Sequence, residues 1–420
     1  MEIKYSKTVS VKGEYDVVVI GGGVAGCAAA LSASREGKKV ILLEKSVSLG
    51  GLATIGLINL FVPLCNARGK QIIHGMCDEF FNLCMKYGYD TVPSDWKDGE
   101  PKHETNQRKI TRYDAPIFSL VLLEALKNSG VVICFDTIIT EAVMDGTHCN
   151  AVIVENKSGT SCYYGKVFVD ASGDADFLTR AGVPTVTGKN YHTYVAHGLT
   201  LKTCEEAIKN ADVAKTLNQF RPARCSNLYG EGHPGDVRLY NATDADDVNR
   251  YLIDNQLELL DSLKGDKRKS RALMSLPSMP QFRTSRRIDG DYTFNAERDA
   301  YRHFEDSVSA INDFDRKDFL YEVPYRTMVK KGYDNIIAAG RCISGEGYGW
   351  DVLRVIPVAI ITGQAAGIAC SQNLDSLKPI YDIDIKALQE KLKENNINIH
   401  FDDKLVPEVI ESVRVKCGEI

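Results

Sequence analysis

The first fifty residues carry two apolar runs that flank a glycine cluster and a stretch of small residues. Residues 15–20 have the composition of a short strand, and three glycines follow directly at 21–23. Residues 25–35 are small and helix-favouring. The second apolar run, 40–43, ends at Glu44. This order predicts a complete βαβ unit.

The pattern changes after the next helix. Asp114 can cap a helix that runs to Lys127, and residues 131–135 resume a strand. Beyond it come three strand-like runs, at 138–143, 150–154 and 165–169, which are separated by Asp145-Gly146 and Ser158-Gly159. Because such dipeptides favour hairpin turns, the pattern predicts a β-meander inserted beside the sheet.

A second region follows, in which the parallel-sheet pattern is lost. The sequence predicts polar, capped helices at 243–263 and 296–311. A buried strand at 335–339 then returns the chain to the first unit. We therefore predict an α/β fold with an inserted α+β substrate or cap domain. The predicted divisions are 1–188 and 331–375 for the first domain, 189–330 for the inserted domain, and 376–420 for a C-terminal helix and tail.

Composition excludes several classes of protein. With 51 basic and 56 acidic residues the formal net charge is −5, so the basic excess of a nucleic-acid-binding protein is missing. The N-terminus has no apolar signal region, and Pro357 and Gly363 interrupt the longest apolar tract, which favours a buried helix over a membrane span. We therefore expect a cytoplasmic protein with no membrane partner. The 12 cysteines are scattered singly without zinc spacing, so no metal site is predicted.

The glycine cluster matches the GxGxxG pattern of dinucleotide-binding proteins. Gly21 permits a tight turn, Gly23 lets the backbone approach a pyrophosphate, and Gly26 allows a helix to pack closely on a strand. Glu44 lies about twenty residues downstream, where a carboxylate can accept hydrogen bonds from ribose hydroxyls. The surrounding βαβ unit makes a dinucleotide site the favoured interpretation.

Further segments carry a resemblance to a known family. They are Gly50-Gly51 with Ala53 and Thr54, 170–174, 283–290, 323–326, 336–341, 354–357 and 363–367. At these residues the chain resembles FAD-dependent oxidoreductases of the glutathione-reductase structural superfamily. It is most similar to a bacterial family of FAD-dependent oxidoreductases that is allied to the fumarate reductase flavoproteins. The resemblance implies a Rossmann-like FAD-binding domain with the β-meander beside it.

The resemblance also implies which residues contact FAD. The pyrophosphate would lie at the N-terminus of the first helix, where backbone N–H groups favour anions. Residues 363–365 would start a helix aimed at the pyrimidine edge of the flavin. Asp174 would lie near the phosphates or the ribityl chain, or would alternatively only cap a helix. The implied contacts are Gly21, Gly23, Ala25, Gly26, Glu44, Lys45, Gly50, Gly51, Ala53, Thr54, Ala171, Gly173, Asp174, Gly340, Arg341, Gly363, Gln364 and Ala365.

Catalysis by a bound flavin needs an anchor for the substrate and a group that moves a proton. Arg283, Arg286 and Arg354 are candidate anchors for a carboxylate or phosphate, although each would serve equally in a structural ion pair. Tyr348 and Glu346 are candidates for the general acid or base; the alternative is that the aromatic residues of this loop only wall the pocket.

Three histidines provide further candidates. His192 and His197 could supply a proton relay, since histidine titrates near neutral pH. His74 is a candidate for covalent attachment of the flavin. In each case a purely structural role is the alternative.

Two missing motifs constrain the reaction. No CxxxxC follows Gly50-Gly51, which argues against disulfide reduction, and no second GxGxxG indicates a separate NAD(P)H domain. The electron acceptor or donor is therefore left open among oxygen, a quinone-like carrier, a partner electron-transfer protein and a nicotinamide that binds transiently to the flavin face.

We expect an FAD-dependent enzyme that transfers a hydride between flavin N5 and a small polar metabolite, such as a carboxylate or sugar derivative. The alternatives are a non-catalytic flavin-binding interaction protein and a C=C reductase fed by a partner electron carrier. The oligomeric state is open, a homo-oligomer included.

Overall fold

The computed structural model describes residues 6–217 and 220–408. Its strands are β1 (Ser10–Ile20), β2 (Val40–Leu43), β3 (Leu60–Phe61), β4 (Thr111–Arg112), β5 (Val132–Cys134), β6 (Ile138–Asp145), β7 (His148–Asn156), β8 (Gly159–Asp170), β9 (Thr185–Thr187), β10 (Thr193–Thr200), β11 (Phe220–Cys225), β12 (Arg271–Ser275), β13 (Arg286–Ile288), β14 (Phe294–Asn295), β15 (Ser307–Asn312), β16 (Leu320–Pro324), β17 (Ile336–Ala338) and β18 (Gly345–Glu346).

Ten α-helices are described along with these strands. They are α1 (Val24–Arg35), α2 (Met76–Tyr87), α3 (Ala115–Asn128), α4 (Asp176–Arg180), α5 (Leu201–Asn210), α6 (Ala214–Leu217), α7 (Ala245–Lys264), α8 (Tyr348–Leu353), α9 (Ile356–Ser376) and α10 (Ile385–Glu394). Asp114 caps α3 by accepting a hydrogen bond from the N–H of Ile117, as the sequence predicts.

The main sheet has seven strands in the order β5-β2-β1-β8-β7-β6, with β17 also paired to β8. The pairs β1-β2, β2-β5, β1-β8 and β8-β17 are parallel, whereas β6, β7 and β8 run antiparallel. The predicted meander and the βαβ unit are therefore both confirmed. Strand β8 is the last strand of the meander and also pairs in parallel with β1. The meander is therefore continuous with the parallel part of the main sheet.

Helices α1 and α9 pack closely against each other. A Cβ built on Gly363 would lie 2.2 Å from the carbonyl oxygen of Ala25, and one on Gly367 would lie 2.3 Å from that of Ala29. The two glycines therefore let the backbones of the two helices touch.

The expectation that a helix begins at Gly363 is wrong. Helix α9 begins at Ile356, with Pro357 in its first turn.

A second cluster of buried side chains lies within the predicted inserted domain. It joins sheet β11-β10-β12 to helix α7. Its fully or nearly fully buried members are Tyr194, Ala196, Tyr240, Tyr251, Leu259, Leu263 and Phe282. From Ile288 onward, most buried apolar side chains belong to the main core, while Ala310, Leu320 and Phe401 form a third, small cluster with Ile72. The divisions at 188, 330 and 375 stay predictions.

One predicted helix of this region is wrong. Residues 296–311 contain a turn followed by β15, whose six residues are all buried and pair with β16. The Asn295 side chain accepts hydrogen bonds from the N–H groups of Glu297 and Arg298, and the Asp299 carboxylate accepts one from the N–H of Asn295. These side-chain bonds favour a turn over helix propagation.

Across residues 6–217 and 220–408, no helix combines the length and the apolar character that crossing a bilayer requires. The apolar tract at 355–370 lies within α9, in which 15 consecutive residues from Pro357 to Ser371 are buried by neighbouring elements.

Candidate active site

A cavity of about 400 Å³ opens at the carboxyl ends of β1, β2, β8 and β17. In parallel α/β sheets this edge is where ligands bind. We call it the main cavity. The predicted residues that line it are Gly21, Gly23, Ala25, Glu44, Lys45, Gly50, Gly51, Ala53, Ala171, Gly173, Arg341 and Arg354. Twelve residues that are scattered between positions 21 and 354 thus come together around one space.

The GxGxxG glycines have distinct steric roles. Gly21 adopts φ +99°, and a Cβ there would lie 2.5 Å from the carbonyl oxygen of Ala171. A Cβ on Gly26 would lie 1.8 Å from the carbonyl oxygen of Gly21, so Gly26 supports the turn from behind. Gly23 has no atom within 4 Å of its built Cβ and lines the main cavity. The turn is therefore tight on its inner side and open toward the cavity.

The N-terminus of α1 is suited to an anion. Gly23 is the N-cap residue, and no side chain caps this end of the helix. Gly23, Val24 and Ala25 all line the main cavity. The first-turn N–H groups of this 12-residue helix, together with its dipole, are suited to an anion such as a pyrophosphate. These residues fit the FAD that the sequence predicts.

Glu44 is held rigidly at the end of β2. It is 6% exposed, and its two carboxylate oxygens accept hydrogen bonds from the N–H of Gly22, at 2.5 Å, and the N–H of Ser46, at 2.7 Å. A carboxylate oxygen accepts more than one hydrogen bond, so Glu44 retains capacity for ribose hydroxyls.

The loop at residues 50–51 lies against the glycine turn. The N–H of Gly50 donates to the carbonyl oxygen of Gly22 at 2.8 Å, and a Cβ on Gly51 would lie 3.3 Å from Cα of Gly23. Thr54 closes this loop by donating its hydroxyl to the carbonyl oxygen of Leu49. Thr54 therefore supports the loop from outside the cavity lining.

Asp174 forms an ion pair behind the cavity wall. Its carboxylate lies 2.8 Å from a guanidinium nitrogen of Arg341 and 3.9 Å from Nζ of Lys45. Burial alone would raise the pKa of Asp174, but the charges of Arg341 and Lys45 outweigh burial and lower it. Asp174 does not cap α4, since Ala175 is the N-cap residue and the first-turn N–H groups of Asp176 and Leu178 donate to Oγ of Ser172 and Oδ2 of Asp170. Asp174 thus pairs with two of the cations that line the cavity, Arg341 and Lys45.

Other predicted contacts also lie behind the lining. A Cβ on Gly340 would lie 2.7 Å from Cβ of Ala25. Gln364 accepts a hydrogen bond from the N–H of Met76 at 2.8 Å, and Ala365 is fully buried within α9. Together with Gly26 and Gly363, they pack the helices that form the wall.

Of the five predicted catalytic residues, all within the described ranges, Arg354 alone lines the main cavity. Its Nε lies 2.7 Å from Oδ1 of Asp351, and a second guanidinium nitrogen lies 2.6 Å from the same oxygen. Arg283 lines a second, small cavity together with Asp351. Burial and then the charge of Arg354 lower the pKa of Arg283. The three side chains form a cluster with two cations and one anion.

Arg286 has a structural position. Its Nε donates to the carbonyl oxygen of Asp174 at 3.0 Å, and its guanidinium forms an ion pair with Asp176 at 2.9 Å. Asp176 lines the main cavity, but Arg286 does not. The geometry matches the alternative of a structural ion pair.

The two candidate acid-base residues also lie outside the lining of the main cavity. The Tyr348 hydroxyl donates to Asp313 at 2.6 Å, and its ring stacks on Phe314. Burial and then the charge of Asp313 raise the pKa of Tyr348, so its hydroxyl stays protonated. Glu346 is half exposed and accepts a hydrogen bond from Asn295.

The three candidate histidines have structural partners. His192 is buried, with Nδ1 3.1 Å from the Tyr240 hydroxyl. His197 Nε2 lies 3.2 Å from the carbonyl oxygen of Leu57, and burial lowers the pKa of His197. His74 pairs with Asp78 at 3.0 Å and does not line the main cavity.

Sequence reasoning missed several lining segments. These are Ile55, Thr137–Ile139, Asp176, Arg180 and Ser278–Pro280. The N–H of Ser278 donates to the carbonyl oxygen of Ile55 at 2.9 Å, which brings segments more than 200 residues apart to one wall. The prolines near position 280 indicate an extended segment, but no pattern in the sequence connects it with the glycine turn.

The glycine turn, the carboxylate at the end of β2 and the cavity at the carboxyl edge define a dinucleotide-binding α/β protein. The family model of FAD dependent oxidoreductases matches residues 16–227 and 210–392. The chain therefore belongs to the family of FAD-dependent oxidoreductases, and FAD is its cofactor.

Individual known proteins are more distant. A stretch of 78 residues is 33% identical to thioredoxin reductase of Ureaplasma parvum serovar 3; it covers 19% of this chain and 25% of that protein. The match therefore spans a quarter of the relative's length.

Solved structures with a similar chain path have low sequence identity. A geranylgeranyl bacteriochlorophyll reductase-like protein from Thermoplasma acidophilum is 11% identical, with a TM-score of 0.46 over 93% of this chain and 85% of that one. The p-nitrophenol 4-monooxygenase PnpA from Pseudomonas putida is 14% identical, with a TM-score of 0.44 over 94% of this chain and 82% of that one. Mycobacterium smegmatis Sdh1 in complex with UQ1 is 13% identical, with a TM-score of 0.45 over 92% of this chain and 73% of that one.

Proposed function

We propose that this FAD-dependent oxidoreductase transfers a hydride between the flavin and a small anionic metabolite, such as a carboxylate or an acidic sugar derivative. Bound FAD supplies a two-electron acceptor or donor at flavin N5. The chain must then bind the metabolite, fix its orientation and exclude water.

The position of Arg354 carries the proposal. It lies in the lining of the main cavity, directly after α8, and its side chain is 16% exposed. Since both of its short contacts to Asp351 go to the same oxygen, Oδ1, the carboxylate occupies only one side of the guanidinium. The remaining N–H groups suit a carboxylate or phosphate in bidentate geometry.

The surrounding charge also favours an anion. Arg283 and Arg354 carry two positive charges against the single negative charge of Asp351. Arg283 is fixed by donating to the carbonyl oxygens of Ser226 and Asn227, at 2.9 and 3.0 Å. The cluster therefore retains one net positive charge, which an anionic substrate would neutralise.

Neighbouring apolar residues would exclude water. Ile55, Met279, Pro280 and Ile356 line the same cavity as Arg354. A drier environment strengthens the attraction between a guanidinium and an anion.

The test uses Arg354→Gln, with Arg326→Gln as the control. Arg326 is also ion-paired, at 2.8 Å to Asp306, but does not line the main cavity. Anaerobic bleaching of the flavin by a panel of carboxylates and sugar acids first identifies a substrate. We expect Arg354→Gln to lower kcat/KM by about 10- to 100-fold with FAD still bound, and Arg326→Gln to leave it unchanged.

Two outcomes would contradict the proposal. If kcat/KM is unchanged in Arg354→Gln, the arginine does not anchor the substrate. If no anionic metabolite bleaches the flavin and sulfite fails to react at N5, a non-catalytic role for the cofactor is favoured instead.

A further inference from the structure

Three metal-ligating side chains from distant parts of the chain meet outside the main cavity. They are His303, in the turn before β15, Glu322 of β16, and His400, which follows α10. Their candidate ligand atoms all lie within 4.8 Å of one another. We call them the His-Glu-His cluster. We propose that this cluster binds a divalent transition-metal ion of the Zn²⁺ type.

The carboxylate is oriented for this role. Glu322 is fully buried, and its Oε2 accepts a hydrogen bond from the N–H of Phe304 at 2.7 Å. Its other oxygen, Oε1, lies 2.5 Å from Nδ1 of His303 and 2.9 Å from Nδ1 of His400. One anionic oxygen and two imidazole nitrogens therefore lie close together, and they make up a His₂-carboxylate ligand set that Zn²⁺ accepts.

An outer-shell partner completes the arrangement. Nε2 of His303 lies 2.8 Å from a carboxylate oxygen of Asp403. Metal-binding histidines commonly donate their second ring N–H to a carboxylate, which fixes the ring and leaves the other nitrogen for the metal. The Phe401 ring stacks on the His303 ring at a centroid distance of 4.3 Å, which restricts that ring further.

The metal would require a small expansion of the cluster. Tetrahedral zinc with ligand distances near 2.0–2.2 Å separates its ligand atoms by about 3.4 Å. The imidazoles must therefore retreat from Oε1 of Glu322 by about 0.5–0.9 Å. The His303 and His400 side chains are 41% and 46% exposed, so both can move outward and an ion can enter from solvent. The same exposure leaves the fourth coordination position to water.

A bound ion would fasten the C-terminal segment to the main core. The carbonyl oxygens of Asn398 and Ile399 accept hydrogen bonds from the N–H of Ala310 and the hydroxyl of Ser307, both in β15. His400 and Glu322 are 78 residues apart in sequence, so a metal bridge between them would close a long loop. We therefore assign the site a stabilising role.

The test is equilibrium dialysis of the chelator-treated, FAD-bound full chain against Zn²⁺, with metal analysis. We expect one Zn²⁺ per chain in the wild type. Asp403→Asn should weaken binding by about 10- to 100-fold, and His303→Gln or His400→Gln should weaken it further, because these two remove a ligand rather than its outer-shell partner.

His148→Gln is the matched control. His148 is 44% exposed and lies 3.0 Å from Asp334, so it has similar exposure and a carboxylate partner without the second histidine. Its substitution should leave Zn²⁺ affinity unchanged. Unaltered stoichiometric binding in the His303→Gln/His400→Gln double variant, or binding of the wild type only at millimolar Zn²⁺, would overturn the proposal.

A second test measures protection from proteolysis instead of the amount of bound Zn²⁺. Limited proteolysis of the wild type should cut the segment around residue 400 more slowly when Zn²⁺ is present, and the same experiment on His400→Gln should show no effect of the metal. If Zn²⁺ protects both proteins equally, the cluster does not hold the ion.

Discussion

The two sides of the main cavity are built on different principles. The nucleotide side is defined mainly by backbone within one βαβ unit: Gly21 and Gly23 act through close approach and N–H groups, and the N–H groups of Gly22 and Ser46 hold the Glu44 carboxylate. The side on which we propose that the substrate binds is lined by side chains from distant segments, including Arg354 and residues 278–280. Backbone rules are local and common to many proteins, whereas the side-chain set depends on how distant segments fold together. The nucleotide side therefore indicates the cofactor, and on our proposal the other side determines the substrate.

The largest effect should come from filling the space behind the glycine turn. A Cβ on Gly26 would lie 1.8 Å from the carbonyl oxygen of Gly21, so the turn or the helix must move. We expect Gly26→Ala to lower the free energy of unfolding by at least about 3 kcal/mol and to abolish FAD binding. Urea unfolding and the flavin-to-protein absorbance ratio measure the two effects.

Gly23→Ala is the control that separates folding from binding. Gly23 has φ −64° and no atom within 4 Å of its built Cβ, so alanine fits the protein. Its methyl group would project where we expect the pyrophosphate. Stability should be retained while the Kd for FAD rises at least about 10-fold. Equal FAD affinity in Gly23→Ala and the wild type would contradict this assignment of the pyrophosphate site.

The next largest effect should come from breaking the ion pair between Asp174 and Arg341. Asp174 pairs with Arg341 at 2.8 Å, and the Arg341 guanidinium is 9% exposed. Asp174→Asn removes the charge that compensates a nearly buried cation. We expect the free energy of unfolding to fall by about 2 kcal/mol, because Asp174 is partly exposed and Arg341 keeps its hydrogen bond to Ser285. Urea unfolding at neutral pH checks this. A change below about 0.5 kcal/mol would show that the pair contributes as little as a surface ion pair.

The same contrast explains which parts of the structure were predictable. Val40–Leu43 coincides with the predicted second strand, and Val24–Arg35 begins one residue before the predicted first helix. These elements follow from local periodicity and glycine sterics. The helix expected at 296–311 failed because side-chain bonds from Asn295 and Asp299 make a turn there.

Tertiary proximity could not be predicted from local pattern. The contact of Ser278 with Ile55, and the meeting of His303, Glu322 and His400, join residues that no spacing rule connects. Arg354 was predicted as an anchor together with Arg283 and Arg286. The structure distinguishes them, since only Arg354 of the three lines the main cavity.

A smaller effect is expected from Tyr348→Phe. The hydroxyl donates to Asp313 outside the cavity lining, and its raised pKa keeps it protonated. We expect the free energy of unfolding to fall by about 1 kcal/mol, with less than about a 3-fold change in kcat. Steady-state kinetics with the substrate found by flavin bleaching provides the measurement. A fall in kcat of about 100-fold would instead give Tyr348 a role at the reacting atoms.

The smallest effect is the pH dependence of the pair between Asp174 and Arg341. Burial raises the pKa of Asp174, but Arg341 and Lys45 lower it below the ordinary value of 3.8. A group whose pKa is lower in the folded state stabilises the fold above its unfolded pKa and loses this contribution as the pH falls through the folded value. The stability difference between the wild type and Asp174→Asn should therefore be constant from pH 7 to about 5 and shrink below 3.8. Urea unfolding at matched FAD concentration tests this, and a difference that grows below pH 3.8 would show that the carboxylate is not held ionised by its two cations.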